Sequence, residues 1–396
     1  MALPLEGIKI VDMTQIVMGP TCTRNLADQG ADVIKVEPFQ GDDYRNRYTS
    51  SRLASHNLSR PFLTLNRNKR SIVVDLSKRN GRDVVYRLAL SADVMVVSLR
   101  LMAAKRLLLD YATLGKMNPR LVYASISGYG RRGPDANLPA YDMALQARSG
   151  IASTSKNSDG APIPSAILIA DTSGAMFLSY AIMVALWERE RTGYGQEVQM
   201  SLLSQALAMQ DLDLVMVEGE PSDISSDAPR GATFYYRCSD DRYLSVITVT
   251  DRQWSALCDV IGLEHLVVDE RFTSFDKRRT MAQEVFELLS GVFGTRPRDE
   301  WLRLLRGAEV PSSPVAYREE VFDDVQVVAN EMFVRQYHPD LGKVTMVNVP
   351  FTFIGSEESR FRWPAPGLGQ HTDEVLSELG YSQSDIAQLR REHIVG

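Results

Sequence analysis

Short β-branched runs alternate with amphipathic stretches through the first half of the chain. Apolar residues gather at 7–13, 32–37, 70–76, 93–98 and 121–127, each bounded by glycine, proline or a polar turn. Between them, residues 21–29 and 81–90 repeat apolar positions at helical spacing, the first stopped by Gly30. Such runs predict strands buried on both faces and joined by helices, which is a parallel, doubly wound sheet. A helical stretch over 172–187 is apolar on nearly every side, and 196–200 reads as the strand after it. A second long helical pattern covers 202–218, and a Ser/Asp/Pro stretch at 221–230 reads as a linker. The texture then changes. Residues 233–248 predict a hairpin with its turn at 239–242, and helical segments run from 254 to about 305. The fold class expected is α/β with a smaller α+β domain at 230–330.

A chain of 396 residues is too long for one ordinary core, in keeping with two domains. A net charge of -6 with only short basic clusters, at 66–70 and 277–279, argues against a nucleic-acid partner. Cys22, Cys238 and Cys258 lack a CxxC spacing, and the five histidines lie far apart, so neither a disulfide framework nor a metal site is expected. The N-terminus shows no charged region followed by an apolar one, and the longest apolar run, at 175–187, reads as too short to span a bilayer. A cytoplasmic protein with no membrane partner follows.

Asp171 is the leading candidate for chemistry. It follows the apolar run at 165–170 and opens the long helical stretch, so it is expected where a strand ends and a helix begins. Backbone N–H groups and the positive dipole end there favour an ionised carboxylate, and the C-terminal edge of an open α/β sheet is where ligands bind. A plain N-cap is the competing reading. A second motif, Gly128-Tyr-Gly-Arg-Arg-Gly133, matches GxGxxG after a strand. Dinucleotide binding also needs a helix at those glycines and an acid about twenty residues on. Pro134 and Pro139 instead predict an extended loop, so the motif is read as a decoy.

Many short motifs in order carry a resemblance. They include Pro4-Leu-Glu-Gly-Ile-Lys-Ile-Val-Asp12, Gly19-Pro20, Gly30-Ala-Asp-Val-Ile-Lys-Val-Glu37, Gly41-Asp42 with Arg45, and Asn68-Lys-Arg-Ser-Ile72. Asn118-Pro-Arg120, Tyr141-Asp142, Gln146, Ser149-Gly150, Asp171 and Arg189-Glu-Arg-Thr-Gly193 follow. Val310-Pro-Ser-Ser-Pro-Val315 and Leu368-Gly-Gln-His-Thr-Asp373 close the series. Nearly end to end, the chain resembles the family III CoA-transferases. The resemblance implies a large Rossmann-like domain over 1–200 completed by 345–396, a small domain at 230–330, and linkers at 201–229 and 331–344. It also implies an interlocked homodimer whose subunits cross at 202–218 and 330–350.

For the site, the resemblance implies Asp171 as the catalytic nucleophile. It places coenzyme A, a substrate and not a permanently bound cofactor, against Val17, Met18, Val74, Ser77, Ser98, Leu99, Arg100, Arg106, Tyr141 and Asp142. Departures from formyl-CoA transferase stand at Val17, Pro38, Ser98 and Pro139, and its glycine-rich lid has no counterpart near Gly231. They make formyl-CoA and oxalate poor guesses and imply different charge contacts to CoA. The partners implied are an acyl-CoA and a small carboxylic acid, and Arg100, Arg131 and Arg132 suit a dicarboxylate such as succinate. One alternative is an α-methylacyl-CoA racemase. Those relatives pair an aspartate with a histidine where this chain has Tyr141, and a phenol with an ordinary pKa of about 10 is a poor base. The others are a non-catalytic acyl-CoA-binding protein and, more remotely, an NAD-dependent dehydrogenase.

Overall fold

The computed structural model describes residues 3–219, 234–354 and 360–396. The chain divides into two compact units, Met1–Ile224 with Glu331–Gly396, and Ser225–Asn330. In the first unit, β1 (Lys9–Met13), β2 (Asp32–Glu37), β3 (Lys69–Val73), β4 (Val94–Val97), β5 (Val122–Ser127) and β6 (Glu197–Ser201) form one sheet. Its order is β3-β2-β1-β4-β5-β6, and every neighbouring pair is parallel. Successive side chains on a strand point to opposite faces. Ile10, Val33, Val94, Val96 and Val122 therefore enter one apolar core, and Val11, Ile34, Val36, Met95 and Tyr123 the other.

The helices of the first part are α1 (Met18–Ala27), α2 (Ser51–Ala54), α3 (Arg60–Leu65), α4 (Arg79–Ser91), α5 (Leu101–Leu107), α6 (Tyr111–Met117), α7 (Asp142–Ser149), α8 (Ile169–Thr192) and α9 (Leu202–Ala208). Cys22 and Leu26 of α1 and Ala175, Leu178 and Ile182 of α8 fill the first core. Val84, Val85 and Leu88 of α4 and Leu114 of α6 fill the second.

The second unit pairs β7 (Phe234–Arg237), β8 (Tyr243–Val246) and β9 (Ser312–Pro314) antiparallel. Around them lie α10 (Asp251–Ile261), α11 (Phe275–Thr280), α12 (Ala282–Phe293), α13 (Arg298–Gly307) and α14 (Val325–Ala329). Trp254, Leu257, Phe272, Leu289, Phe293 and Trp301 form its own core. The chain then makes a hairpin, β10 (Phe333–His338) with β11 (Gly342–Val347), and ends in α15 (Thr372–Glu378) and α16 (Gln383–Arg391). Val375, Leu376, Ile386 and Leu389 of these last helices complete the second core of the large sheet.

Four expectations need correction. No strand precedes Asp171: the Ser165 amide is held by Gln146 Oε1 and the Ile167 carbonyl by Gln146 Nε2, and β6 takes the place beside β5. The helix expected over 202–218 ends at Ala208, where Gln210 Nε2 donates to the Ala206 and Ser149 carbonyls and closes the last turn. Residues 331–344, read as a linker, contain β10 and the start of β11. The apolar stretch judged too short for a bilayer belongs to α8, a 24-residue helix that contains an 18-residue window of mean hydropathy 1.5 and is long enough by length and composition. One face of α8 nevertheless carries core residues of the first unit. The linker at 221–230 and the position of Gly231 lie outside the described residues.

Beneath the upper edge of the sheet, Arg45 is wholly buried, with Nη2 and Nε on Glu37 at 2.7 and 2.8 Å and Nη1 on the Pro366 carbonyl at 3.1 Å. Ser71 Oγ donates to the same Glu37 and accepts the Gly369 N–H, so one carboxylate ties the C-terminal segment to β2 and β3. Arg45→Met is expected to lose about 3–5 kcal/mol, because Glu37 is left charged and unpaired. Urea unfolding checks this, and a loss below about 1 kcal/mol contradicts the role of the pair.

Candidate active site

The strand order reverses between β1 and β4, and there the loops after the strands part. A cavity of about 430 Å³ opens at this point. Its walls are the turn after β1 (Gln15, Ile16, Val17, Met18, Gly19), the start of α5 (Ser98, Leu99, Arg100), the ends of β5 and its loop (Ser125 to Ser127, Gly130, Arg131, Asn137 to Tyr141), and Asp171. Of the residues expected at the site, the cavity brings together Val17, Met18, Ser98, Leu99, Arg100, Tyr141 and Asp171. Val74 is core, Ser77 is exposed and bonded to Asp75, and Arg106 is exposed on α5; none of the three lines the cavity. Asp142 stands behind the wall, 3% exposed.

The start of α8 is built from α7. Asp142 Oδ2 accepts the Asp171 N–H at 2.9 Å, and Gln146 Nε2 donates to Asp142 Oδ1 at 2.5 Å. Asp171 is thus in the first turn of α8, past the Leu168 cap position. Its own amide is already spent on Asp142. Burial pushes the Asp171 carboxyl up to about 7, with the Asp142 carboxylate adding to the effect. This reverses the expectation that a helix start keeps it readily ionised: desolvation and a like charge outweigh the dipole. Tyr44 also senses the Asp171 charge; burial first, then Tyr48 and Asp171, raise its pKa.

Helix α1 faces this carboxyl across the cavity. Its N-cap residue, Val17, offers no side-chain cap, and Pro20 in the first turn has no N–H. The N–H groups of Met18 and Gly19, in the first turn of α1, have no acceptor within the helix, and both residues line the cavity. The preceding Ile16 has φ 74°, a left-handed conformation that costs a β-branched residue on the order of 1–3 kcal/mol. Met18 fits because Gly174 has no side chain: a Cβ there would lie 3.0 Å from Met18 Cε.

The far end of the cavity is polar and largely self-satisfied. Arg131 Nη1 pairs with Glu197 at 2.7 Å and Nη2 donates to Ser125 Oγ at 2.6 Å. The Tyr123 hydroxyl donates to the Leu109 carbonyl at 2.8 Å. Arg100, exposed on the rim, carries its charge without such a partner among the described residues. Gln15, Ile16, Tyr44, Ser125 and Asn137 are absent from the sequence-based site. For Ser125 and Ser127 a signal exists, since polar residues end an otherwise apolar strand. The left-handed turn at Ile16 has none. Residues 128–133 start no helix, which agrees with reading GxGxxG there as a decoy.

Comparison with known proteins places this geometry. The model of CoA-transferase family III matches residues 5–372. An acyl-CoA transferase of Fusarium pseudograminearum is 35% identical, over 99% of this chain and 88% of its own length. The mouse succinyl-CoA:glutarate CoA-transferase is 31% identical over 98% and 89%, and the Escherichia coli formyl-CoA:oxalate CoA-transferase 31% over all of both. Among solved structures, a CAIB/BAIF family protein from Brucella suis has a TM-score of 0.81 and 30% identity, covering 96% of this chain and 100% of that one. Mycobacterium tuberculosis Rv3272 in its orthorhombic form has 0.82 and 27%, covering 94% and 98%. A doubly wound sheet with an acid at its switch-point cavity, matched end to end by these relatives, makes the chain a member of CoA-transferase family III.

Proposed function

We propose that this enzyme moves CoA between two carboxylic acids through an aspartyl-CoA thioester on Asp171. The single observation that carries this is an Asp171 carboxyl of raised pKa on the cavity wall, opposite the uncapped start of α1. An Asp171 oxygen attacks the acyl carbon of the donor thioester, and the C–S bond breaks to give a mixed anhydride and CoA thiolate. The thiolate attacks the aspartyl carbonyl carbon, and the donor acid leaves as its carboxylate. The acceptor carboxylate then attacks the aspartyl-CoA thioester, forming a second anhydride and freeing thiolate again. That thiolate takes the acceptor acyl group, and Asp171 returns as a carboxylate. Splitting one exchange into four displacements of similar energy is the gain of covalent catalysis. In this reading the Met18 and Gly19 amides, at the start of α1, stabilise the oxyanions formed at the aspartyl carbon.

The acids are read from charge. Glu197 neutralises Arg131, and Arg100 on the rim has no ion-pair partner among the described residues. The relatives named for succinyl-CoA and glutarate support a dicarboxylate donor or acceptor such as succinate. The enzyme works as a homodimer in this reading. Phe177, Tyr180, Val184 and Trp187 are exposed on one face of α8, and Leu212, Val215 and Met216 are exposed after α9. The resemblance implies two threaded subunits crossing at 202–218 and 330–350. Three free, buried cysteines suit the reducing cytoplasm.

Incubation with succinyl-CoA or acetyl-CoA, then hydroxylamine, should leave a hydroxamate on the Asp171 peptide by mass spectrometry. Asp171→Ala should lower turnover by at least about a thousandfold; a variant that still transfers CoA refutes the mechanism. Racemase chemistry would instead exchange the α-proton with deuterated solvent in the absence of any acceptor acid.

Asp171 must be ionised to attack, so the single-turnover rate should fall below about pH 7, to about one-tenth of its plateau near pH 6. Stability has the opposite slope. A folded-state pKa above the unfolded value gives stability that is fully present below about pH 3.8 and lost as pH rises through about 7. Asp171→Asn should therefore stabilise the protein at pH 8 by roughly 1–3 kcal/mol and leave it unchanged near pH 4. Thermal melts at the two pH values check the sign.

Trp187→Glu combined with Phe177→Glu should shift the sedimentation profile from dimer toward monomer or aggregate. An unaltered wild-type-like dimer places the subunit contact elsewhere.

A further inference from the structure

We infer that Asp42, which does not touch the cavity, is a positioning residue for the Asp171 reaction. Through the Ile16 amide it holds the turn after β1 in the left-handed conformation that sets Val17, Met18 and Gly19 opposite Asp171. The inference rests on the reading of Asp171 as nucleophile.

Asp42 is wholly buried and reaches the turn directly: its Oδ1 accepts the Ile16 N–H at 3.2 Å and the Tyr44 N–H at 2.9 Å. Its Oδ2 pairs with Lys35 Nζ at 2.9 Å, and that ammonium, also wholly buried, donates to the Thr14 carbonyl at 2.8 Å. One buried ion pair therefore grips both ends of the turn, the Thr14 carbonyl and the Ile16 amide. The pair is itself fixed, because the Asp42 N–H is donated to Glu37 Oε2 at 3.0 Å and Glu37 is chelated by Arg45.

The turn needs such a grip. A β-branched residue does not settle at φ 74° unless its surroundings over-determine it. Strain of this kind collects where a site must be pre-organised. Here the strained residue lines the cavity, and the next two residues begin α1. Met18 rests against Gly174, one turn beyond Asp171, so the position of the turn is registered directly on the helix that bears the nucleophile.

A merely structural ion pair would lower stability on removal without singling out Ile16. A mutant cycle separates the two roles. Asp42→Ser, too short to reach the amide, should slow hydroxylamine-trapped acylation of Asp171 by succinyl-CoA or acetyl-CoA by about 10- to 100-fold. Amide exchange across residues 14–19 should quicken in the same variant. Glycine takes a positive φ without help. In an Ile16→Gly background, then, the same Asp42→Ser change should slow acylation by less than about threefold. An equal slowing in both backgrounds, or none in either, overturns the inference.

Should Asp42→Ser fail to fold, the same cycle is run with Asp42→Asn, which sets an amide donor against Lys35 Nζ and breaks the ion pair that grips the turn. It should slow acylation by about tenfold in the wild-type background and by less than about threefold in Ile16→Gly; an equal slowing in both, or none in either, overturns the inference. Wild-type protein that forms no adduct with either thioester defeats the Asp171 mechanism and the catalytic half of this inference together. The grip on Ile16 is then decided by exchange alone, and unchanged protection of 14–19 in Asp42→Ser defeats that half.

Discussion

The hydrogen bond from the Asp171 amide to the Asp142 carboxylate is the contact on which the site depends. It fixes where α8 begins and joins that helix to α7. It also keeps a second carboxylate beside the carboxyl that we propose as the nucleophile. Had Asp171 been an ordinary N-cap, its carboxylate would have accepted backbone N–H groups, and its pKa would have been low. Instead the capping work passes to Asp142 and Gln146, and burial with a like charge leaves Asp171 basic. A carboxylate that is poorly solvated and repelled by its neighbour is a stronger oxygen nucleophile than a capped one.

Around this pair the sheet supplies rigidity through charge rather than through apolar contact alone. Asp12, Lys35 and Glu37 of β1 and β2, Asp42 and Arg45 after β2, and Lys69 at the start of β3 are all essentially inaccessible. Lys69 donates to Asp12 and to the Pro20 carbonyl, so the start of α1 is tied to the same network. Burial pulls the Lys69 ammonium down to about 8, although Asp12 favours its charge. Buried ion pairs are weak devices for net stability, since desolvation offsets most of their attraction. They are strong devices for geometry, since each member has one arrangement that satisfies it. A cavity walled by turns as well as by the end of β5 benefits from that geometry.

Much of the fold was legible because its dominant signal is local. β1 to β5 each carry β-branched apolar residues with both faces largely buried, which makes such strands hard to mistake; β6, Glu197–Ser201, is only partly buried. The hairpin of β7 and β8 announced itself by its polar turn. The errors share a cause as well. The run at 165–170 is apolar enough for a strand, but whether it pairs depends on the side chain of Gln146, nineteen residues from the Ser165 amide it holds. The helical pattern at 202–218 continues past the point where Gln210 closes the helix onto Ser149. Periodicity records which face is apolar and says nothing of a side chain that competes for a backbone group.

The site shows the same division. Asp171, Tyr141 and the turn at Val17 and Met18 were read from motif order and chain position, because each stands at the start of a helix. The raised pKa of Asp171 was not, because it is set by Asp142 and by burial, both properties of the assembled site. Nor was the division of labour among the arginines. Arg131 looks in sequence like a free cation beside a loop, and in the structure Glu197 and Ser125 have already claimed it. Arg100, on the same cavity, has no such partner among the described residues. Charge in a sequence is thus only an upper limit on the charge that a ligand meets, because internal pairing is settled first.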